Sequence, residues 1–218
     1  MKALRSARNA LLTAAARLTA LLPLNRKKAV FISFGGAGYS DNPRAVSEAL
    51  HRLCPEAEIV WLFLTPEQRS VPDYVKTARI HRLSAIRHLE NAGVWVFNNV
   101  MPPYLTKRRG QFYVQTWHGD RGFKVCLHER GKKGLKDTAA IDVAVAGSRH
   151  AVMLYEDAFK YHGDILSAGS PRDDVLVQAA AGDPSALACA EEIRAALGLK
   201  SGEKVLLYAP TMRDAVKR

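Results

Sequence analysis

A histidine between a strand-like run and a glycine is the strongest candidate for acid–base chemistry in this chain. In Gln115-Thr116-Trp117-His118-Gly119 the imidazole stands where a strand is predicted to end, and the glycine lets a substrate approach closely. An imidazole so placed can act as a general base near neutral pH. Asp120 can orient the ring or bind an acceptor hydroxyl, and Arg121 and Lys124 can hold phosphate oxygens. Taken alone, the same residues also suit a histidine that only hydrogen-bonds its own loop.

Three other places gather polar residues after apolar runs. The loop 35–44, GGAGYSDNPR, leads into a helix, GSRH (147–150) opens another, and APTMR (209–213) follows a third apolar run. Gly35, Gly36 and Gly38 do not form GxGxxG, and no ribose-binding acid follows at the expected distance, so a dinucleotide site is not predicted. A tight turn before a helix whose N-terminus is open to an anion explains the loop equally well. Ser148 and His150 stand at a helix start, where Ser148 also suits a plain N-cap. The three cysteines, Cys54, Cys126 and Cys189, are widely spaced, and the seven histidines form no HExxH. Buried free thiols are expected, with no metal and no cofactor.

The elements that must position these residues follow from the apolar runs. Strands are predicted at 29–34, 58–64, 94–98, 111–115 and 142–146, a short one at 165–169 and a strong one at 204–210. Helices are predicted at 44–53, 148–160 and near 185–197, within an alanine-rich stretch (179–196) that reads as helical throughout. Strands alternating with helices predict an α/β fold, doubly wound around a largely parallel sheet.

Charge is unevenly spread. The net charge is +11, and residues 1–28 hold seven basic residues and no acid, leaving only +4 for the other 190. That remainder is too small for a domain-wide nucleic-acid surface, and nucleic acid is not an expected partner. At 100° per residue Leu4, Leu11, Leu18 and Leu22 share one side of a helix ending near Pro23, with Lys2, Arg5, Asn9, Thr13 and Arg17 opposite. Arg17 interrupts the segment too early for a membrane span. A peripheral helix lying on an anionic, cytoplasmic membrane face is expected, with packing on the protein's own body and a cleaved signal as the alternatives.

QTWHG followed by DRGFK, then GSPRDDVL (169–176), then LLYAPTMRD (206–214) resembles the CDP-glycerol glycerophosphotransferase family, the teichoic-acid polymerases and primases. FISFGGAGYSDNPRAVSEAL (31–50) resembles the family's first strand, loop and helix. The resemblance implies a GT-B-like fold of two Rossmann-like domains facing across a cleft, attached to the membrane surface. It implies transfer of glycerol phosphate from CDP-glycerol to a hydroxyl of a lipid-linked polyol-phosphate acceptor, with release of CMP and His118 as general base. Gly36, Asn42, Trp117, Gly119, Asp120, Arg121, Lys124, Ser148, Arg172, Thr211 and Arg213 are the expected substrate-binding residues. Arg172 also suits an ion pair with Asp173 or Asp174, and Arg213 a solvent-exposed place. The expected organisation is a basic helix over 1–26, an acceptor-side Rossmann-like domain over 27–167, and the start of a nucleotide-donor domain over 168–218.

Departures from the family pattern limit the carry-over. Asp120-Arg121-Gly122-Phe123-Lys124 stands where many members read TPLK, and Met212 replaces the aromatic of APTWR. The family's later HP and DYSS-type donor motifs would fall beyond Arg218. A CDP-ribitol or nucleotide-sugar donor, and a non-catalytic membrane-bound module, are the competing expectations.

Overall fold

Four long apolar runs fix the centre of the sheet. The computed structural model describes residues 2–119 and 138–209. In it β1 (Asn25–Ile32), β2 (Glu58–Phe63) and β4 (Ala92–Phe97) lie side by side, and β5 (Phe112–Gln115) follows β4. Strands covered on both faces carry near-continuous apolar sequence, and Ile59 to Phe63 are all buried. Seven parallel strands pair in the order β3-β2-β1-β4-β5-β6-β7, with β3 at Val75–Arg79, β6 at Val143–Ala146 and β7 at Asp164–Ser167. The chain runs outward from β1 to β3, then restarts at β4 and runs the other way. The order therefore reverses between β1 and β4, where ligands of open α/β sheets bind.

The period of two along the strands divides the core into two layers. Val30, Ile32, Val60, Leu62, Trp95 and Phe97 face one side, against α3 (Leu83–Asn91) and α4 (Arg149–Asp157). Ala29, Phe31, Ile59, Trp61 and Phe63 face the other, against Val46 and Leu50 of α2 (Asp41–Leu53). Phe31 stacks on Trp61 at 5.5 Å across the β1–β2 pair.

The N-terminal segment forms α1 (Lys2–Thr19), ending four residues before Pro23. It packs on α3, but not through the leucine stripe read from the sequence. Leu12 and Ala16 enter the core, whereas Leu11, Leu18 and the following Leu21 are 64%, 71% and 85% exposed. Small residues on the Ala-rich side allow close approach to α3, so the body takes that side and leaves the leucines outward. Among the described residues no helix is long and apolar enough to cross a membrane.

Two elements went unread in the sequence. β3, VKTAR, is an edge strand with only Val75 and Ala78 buried, and α3 follows it after a short turn. The alanine-rich stretch is interrupted: α5 (Asp174–Ala180) ends before Gly182, and α6 (Pro184–Ala196) starts afresh. Asp183 caps α6 by accepting from the Ala186 N–H at 2.9 Å, with Pro184 in the first turn.

The chain divides into two compact units, Met1–Asp174 and Val175–Arg218. The second contains α5 from Val175 onward and α6. The predicted strand at 204–210 is not formed over its described residues, 204–209, and Leu206 is 95% exposed. A strand needs a neighbour to satisfy its N–H and C=O groups, and the described residues of this unit supply none. The expectation of buried thiols also fails where it can be seen: Cys189 is exposed and Cys54 half-buried. Cys126 lies outside the described residues.

Candidate active site

The site is assembled from the loops that leave the carboxyl ends of β1, β4, β5 and β7. β4 ends at Phe97, and the next residue, Asn98, is fully buried. Its side-chain oxygen accepts from the Phe34 N–H at 2.7 Å, and its Nδ2 donates to Asp41 Oδ2 at 2.6 Å and to Ser33 Oγ at 3.2 Å. One amide thus ties together the loop after β1 and the start of α2.

The backbone carbonyl of Asn98 fixes the histidine. His118 Nδ1 donates to Asn98 O at 2.7 Å. A carbonyl oxygen can only accept, so Nδ1 carries the hydrogen, and in the neutral ring Nε2 keeps its lone pair. The ring lies against Trp117, with centroids 4.3 Å apart, and against Phe34 at 5.5 Å. Trp117 packs edge-on against Phe159, while its backbone N–H donates to Gln115 Oε1 at 2.9 Å. The turn carrying the imidazole is therefore held at both ends.

Asn42 and Arg172 close the arrangement. Asn42 is buried, and its Nδ2 donates to the carbonyls of Thr116 and Trp117, each at 3.2 Å. Its Oδ1 accepts from the Arg172 N–H at 3.2 Å. Arg172, in the turn after β7, donates through Nη1 to Asp41 Oδ1 at 2.5 Å and to His118 O at 2.8 Å. Its pairing with Asp173 is longer, at 3.6 Å, and a third of its side chain is exposed. A cation is so held beside the histidine turn.

Backbone strain collects here. Five non-glycine residues in the described chain have positive φ, and Phe34, Asp41 and Trp117 are three of them. Such conformations cost of the order of 1–3 kcal/mol each and persist where surrounding contacts over-determine them.

The expected site residues divide by role. The structure brings His118, Trp117, Gly119, Asn42 and Arg172 together, with Gly119 beside the Arg172 guanidinium. Gly36 meets the end of β2 instead. At φ +94° a Cβ there would stand 3.0 Å from Leu64 N, so packing alone requires glycine. Ser148 caps α4 by accepting from the Ala151 N–H at 3.1 Å. Asp120, Arg121, Lys124, Thr211 and Arg213 lie outside the described residues. Asp41 and Asn98 were missed. A single polar residue at the carboxyl end of an apolar strand, as in VWVFN, was the available signal for Asn98. A crevice of about 10 Å³ lies between Trp117, Asn42, Gly119 and Ser170, enough for about one water.

This arrangement has relatives. Residues 14–218 match the family CDP-Glycerol:Poly(glycerophosphate) glycerophosphotransferase. The chain belongs to that family. It is 33% identical over 201 residues to the teichoic acid poly(glycerol phosphate) polymerase of Staphylococcus epidermidis, covering 86% of this chain and 27% of that protein. A solved structure of the wall teichoic acid polymerase TagF superposes with a TM-score of 0.81 at 30% identity, covering 98% of this chain and 56% of that one. A TagF variant soaked with CDPG gives 0.79 at 30% identity, covering 97% and 58%. The chain thus spans about a quarter of the length of the polymerase and about half of the solved chains. The parallel α/β sheet of this glycerophosphotransferase-family member is the fold of those TagF structures.

Proposed function

We propose that this chain works in transfer of glycerol phosphate from CDP-glycerol to a hydroxyl of a polyol-phosphate acceptor, releasing CMP, with His118 as general base. The observation that carries the reading is the hydrogen bond from His118 Nδ1 to Asn98 O, which leaves Nε2 able to take a proton. An alcohol attacks phosphorus poorly at neutral pH, so a base within hydrogen-bond reach lowers the barrier. The acceptor oxygen forms the new O–P bond as Nε2 takes its proton. The phosphoanhydride bond breaks, and CMP leaves with the electron pair. Conversion of His118 to the imidazolium strengthens its bond to the Asn98 carbonyl, so the same contact favours the transition state. Arg172, held by Asp41, supplies positive charge beside the developing phosphoryl negative charge.

A GT-B arrangement would place this face opposite a nucleotide-binding domain. The acceptor is lipid-linked in this reading, and α1 meets the cytoplasmic membrane face as a peripheral element. Its exposed Leu11, Leu18 and Leu21 and the basic residues of 1–28 support that attachment. The deciding experiment is CMP release from CDP-glycerol by the full 218-residue chain on liposomes, beside His118→Ala. The expected result is turnover in the first and a loss of about 10²–10⁴-fold in the second. Turnover unaffected by the substitution refutes the base, and a chain without turnover points to a non-catalytic module.

A further inference from the structure

Between α1 and the segment 104–109 lies an open cavity of about 570 Å³, sharing no lining residue with the histidine network and within the size range of small-molecule sites. α1 contributes Thr13, Ala16, Arg17 and Ala20. Glu90 of α3 is buried in its wall, and Lys107, Arg108 and Arg109 complete it. The cations differ in what they already do. Arg108 is structural: it donates to Glu90 O at 2.6 Å and to Leu22 O at 3.0 Å, tying the segment after α1 to α3. Lys107 pairs with Asp142 at 2.5 Å. Arg17 and Arg109 are exposed, and among the described residues neither has an ion-pair partner. One turn on from Arg17 stands Leu21, strongly exposed.

A roomy cavity with two guanidinium groups that no described acid pairs attracts a phosphate, and the exposed leucine one turn beyond Arg17 suits an apolar chain. We propose that this cavity seats the phosphate headgroup of an anionic amphiphile, with Arg17 and Arg109 binding the phosphate and Leu21 meeting an acyl chain. The assignment rests on the membrane attachment proposed above, but it is more specific: the contact is a defined pocket rather than a diffuse basic surface.

The test is flotation of the full chain with phosphatidylcholine vesicles containing phosphatidylglycerol, at fixed ionic strength. Arg17→Ala with Arg109→Ala should weaken binding by well over the roughly 25-fold that two diffuse surface cations supply at about fivefold each. Arg26→Ala with Lys27→Ala removes the same charge from exposed positions at the start of β1, outside the cavity, and should cost no more than that diffuse share. Ala20→Trp fills the cavity without changing charge and should weaken binding as the arginine pair does. Soluble short-chain phosphatidylglycerol should compete, and inorganic phosphate at the same concentration should not. Equal losses in the two double variants overturn the cavity and leave a diffuse membrane contact standing. Inorganic phosphate competing as well as the amphiphile overturns the amphiphile assignment. A wild-type chain that does not bind these vesicles overturns this proposal and the membrane attachment together.

Discussion

At the scale of single residues, the histidine is set by a carbonyl and the arginine by a carboxylate. His118 makes its ring hydrogen bond to Asn98 O and stands half-buried at the surface of the sheet's carboxyl edge. His118→Ala should therefore leave the melting temperature nearly unchanged while removing transfer. A matching fall in melting temperature and activity would mean that the ring is packing, not chemistry. Asp41 invites a sharper substitution. Its side chain is 6% exposed, and it accepts from both Arg172 and Asn98. Asn tolerates the positive φ of 63° seen there, so Asp41→Asn removes charge without forbidding the backbone. The expected cost is about 2 kcal/mol, the worth of hydrogen bonds to a charged group. Urea denaturation of the variant measures it, and a cost under about 0.5 kcal/mol would show that Arg172 is held by the carbonyl of His118 instead.

At the scale of elements, the two sides of α1 do different things, and substitutions should separate them. Leu12 is 3% exposed within the core, so Leu12→Ala should destabilise the fold by about 2–4 kcal/mol. Leu11→Ser with Leu18→Ser touches only exposed positions and should change stability by less than about 1 kcal/mol. The same pair should weaken vesicle binding about tenfold, since each leucine loses apolar burial in the lipid interface. Flotation and thermal melting on one set of proteins check both halves. Loss of stability from the leucine pair would show that this side also packs on protein. Deleting the whole helix cannot make this distinction, because Leu12 and Ala16 would leave the core with it.

At the scale of the molecule, one buried acid should shape stability against pH. Glu90 is 1% exposed, and burial raises its pKa from 4.5 to about 7, the nearby Arg108 offsetting part of the shift. The folded state thus prefers the neutral acid, whereas the unfolded chain ionises near 4.5. Its stabilising contribution is complete below the unfolded pKa and is lost as pH rises through about 7, a swing of about 3 kcal/mol. Glu90→Gln should flatten this segment of the profile. Denaturation midpoints at pH 5 and pH 8 for both proteins test it, and identical pH slopes would remove Glu90 from the account.

The sequence by itself determined the alternation of strands and helices, the parallel sheet, the family and the place of His118 at a strand end. Apolar runs and the WHG, GSPRDD and APTMR motifs are local signals, carried by neighbouring residues and legible without a fold. Tertiary structure decided the rest, because it depended on residues far apart in the chain. Asp41, at the start of α2, and Asn98, His118 and Arg172, from three loops, meet only because β1 and β4 are neighbours in the sheet and the turn after β7 packs on α2. Periodicity showed that α1 has two sides, but only the small residues opposite α3 decided which side faces in. The apolar run at 204–209 marks the limit of local reading: strand propensity is written in the residues, but a strand exists only where a partner edge takes up its hydrogen bonds.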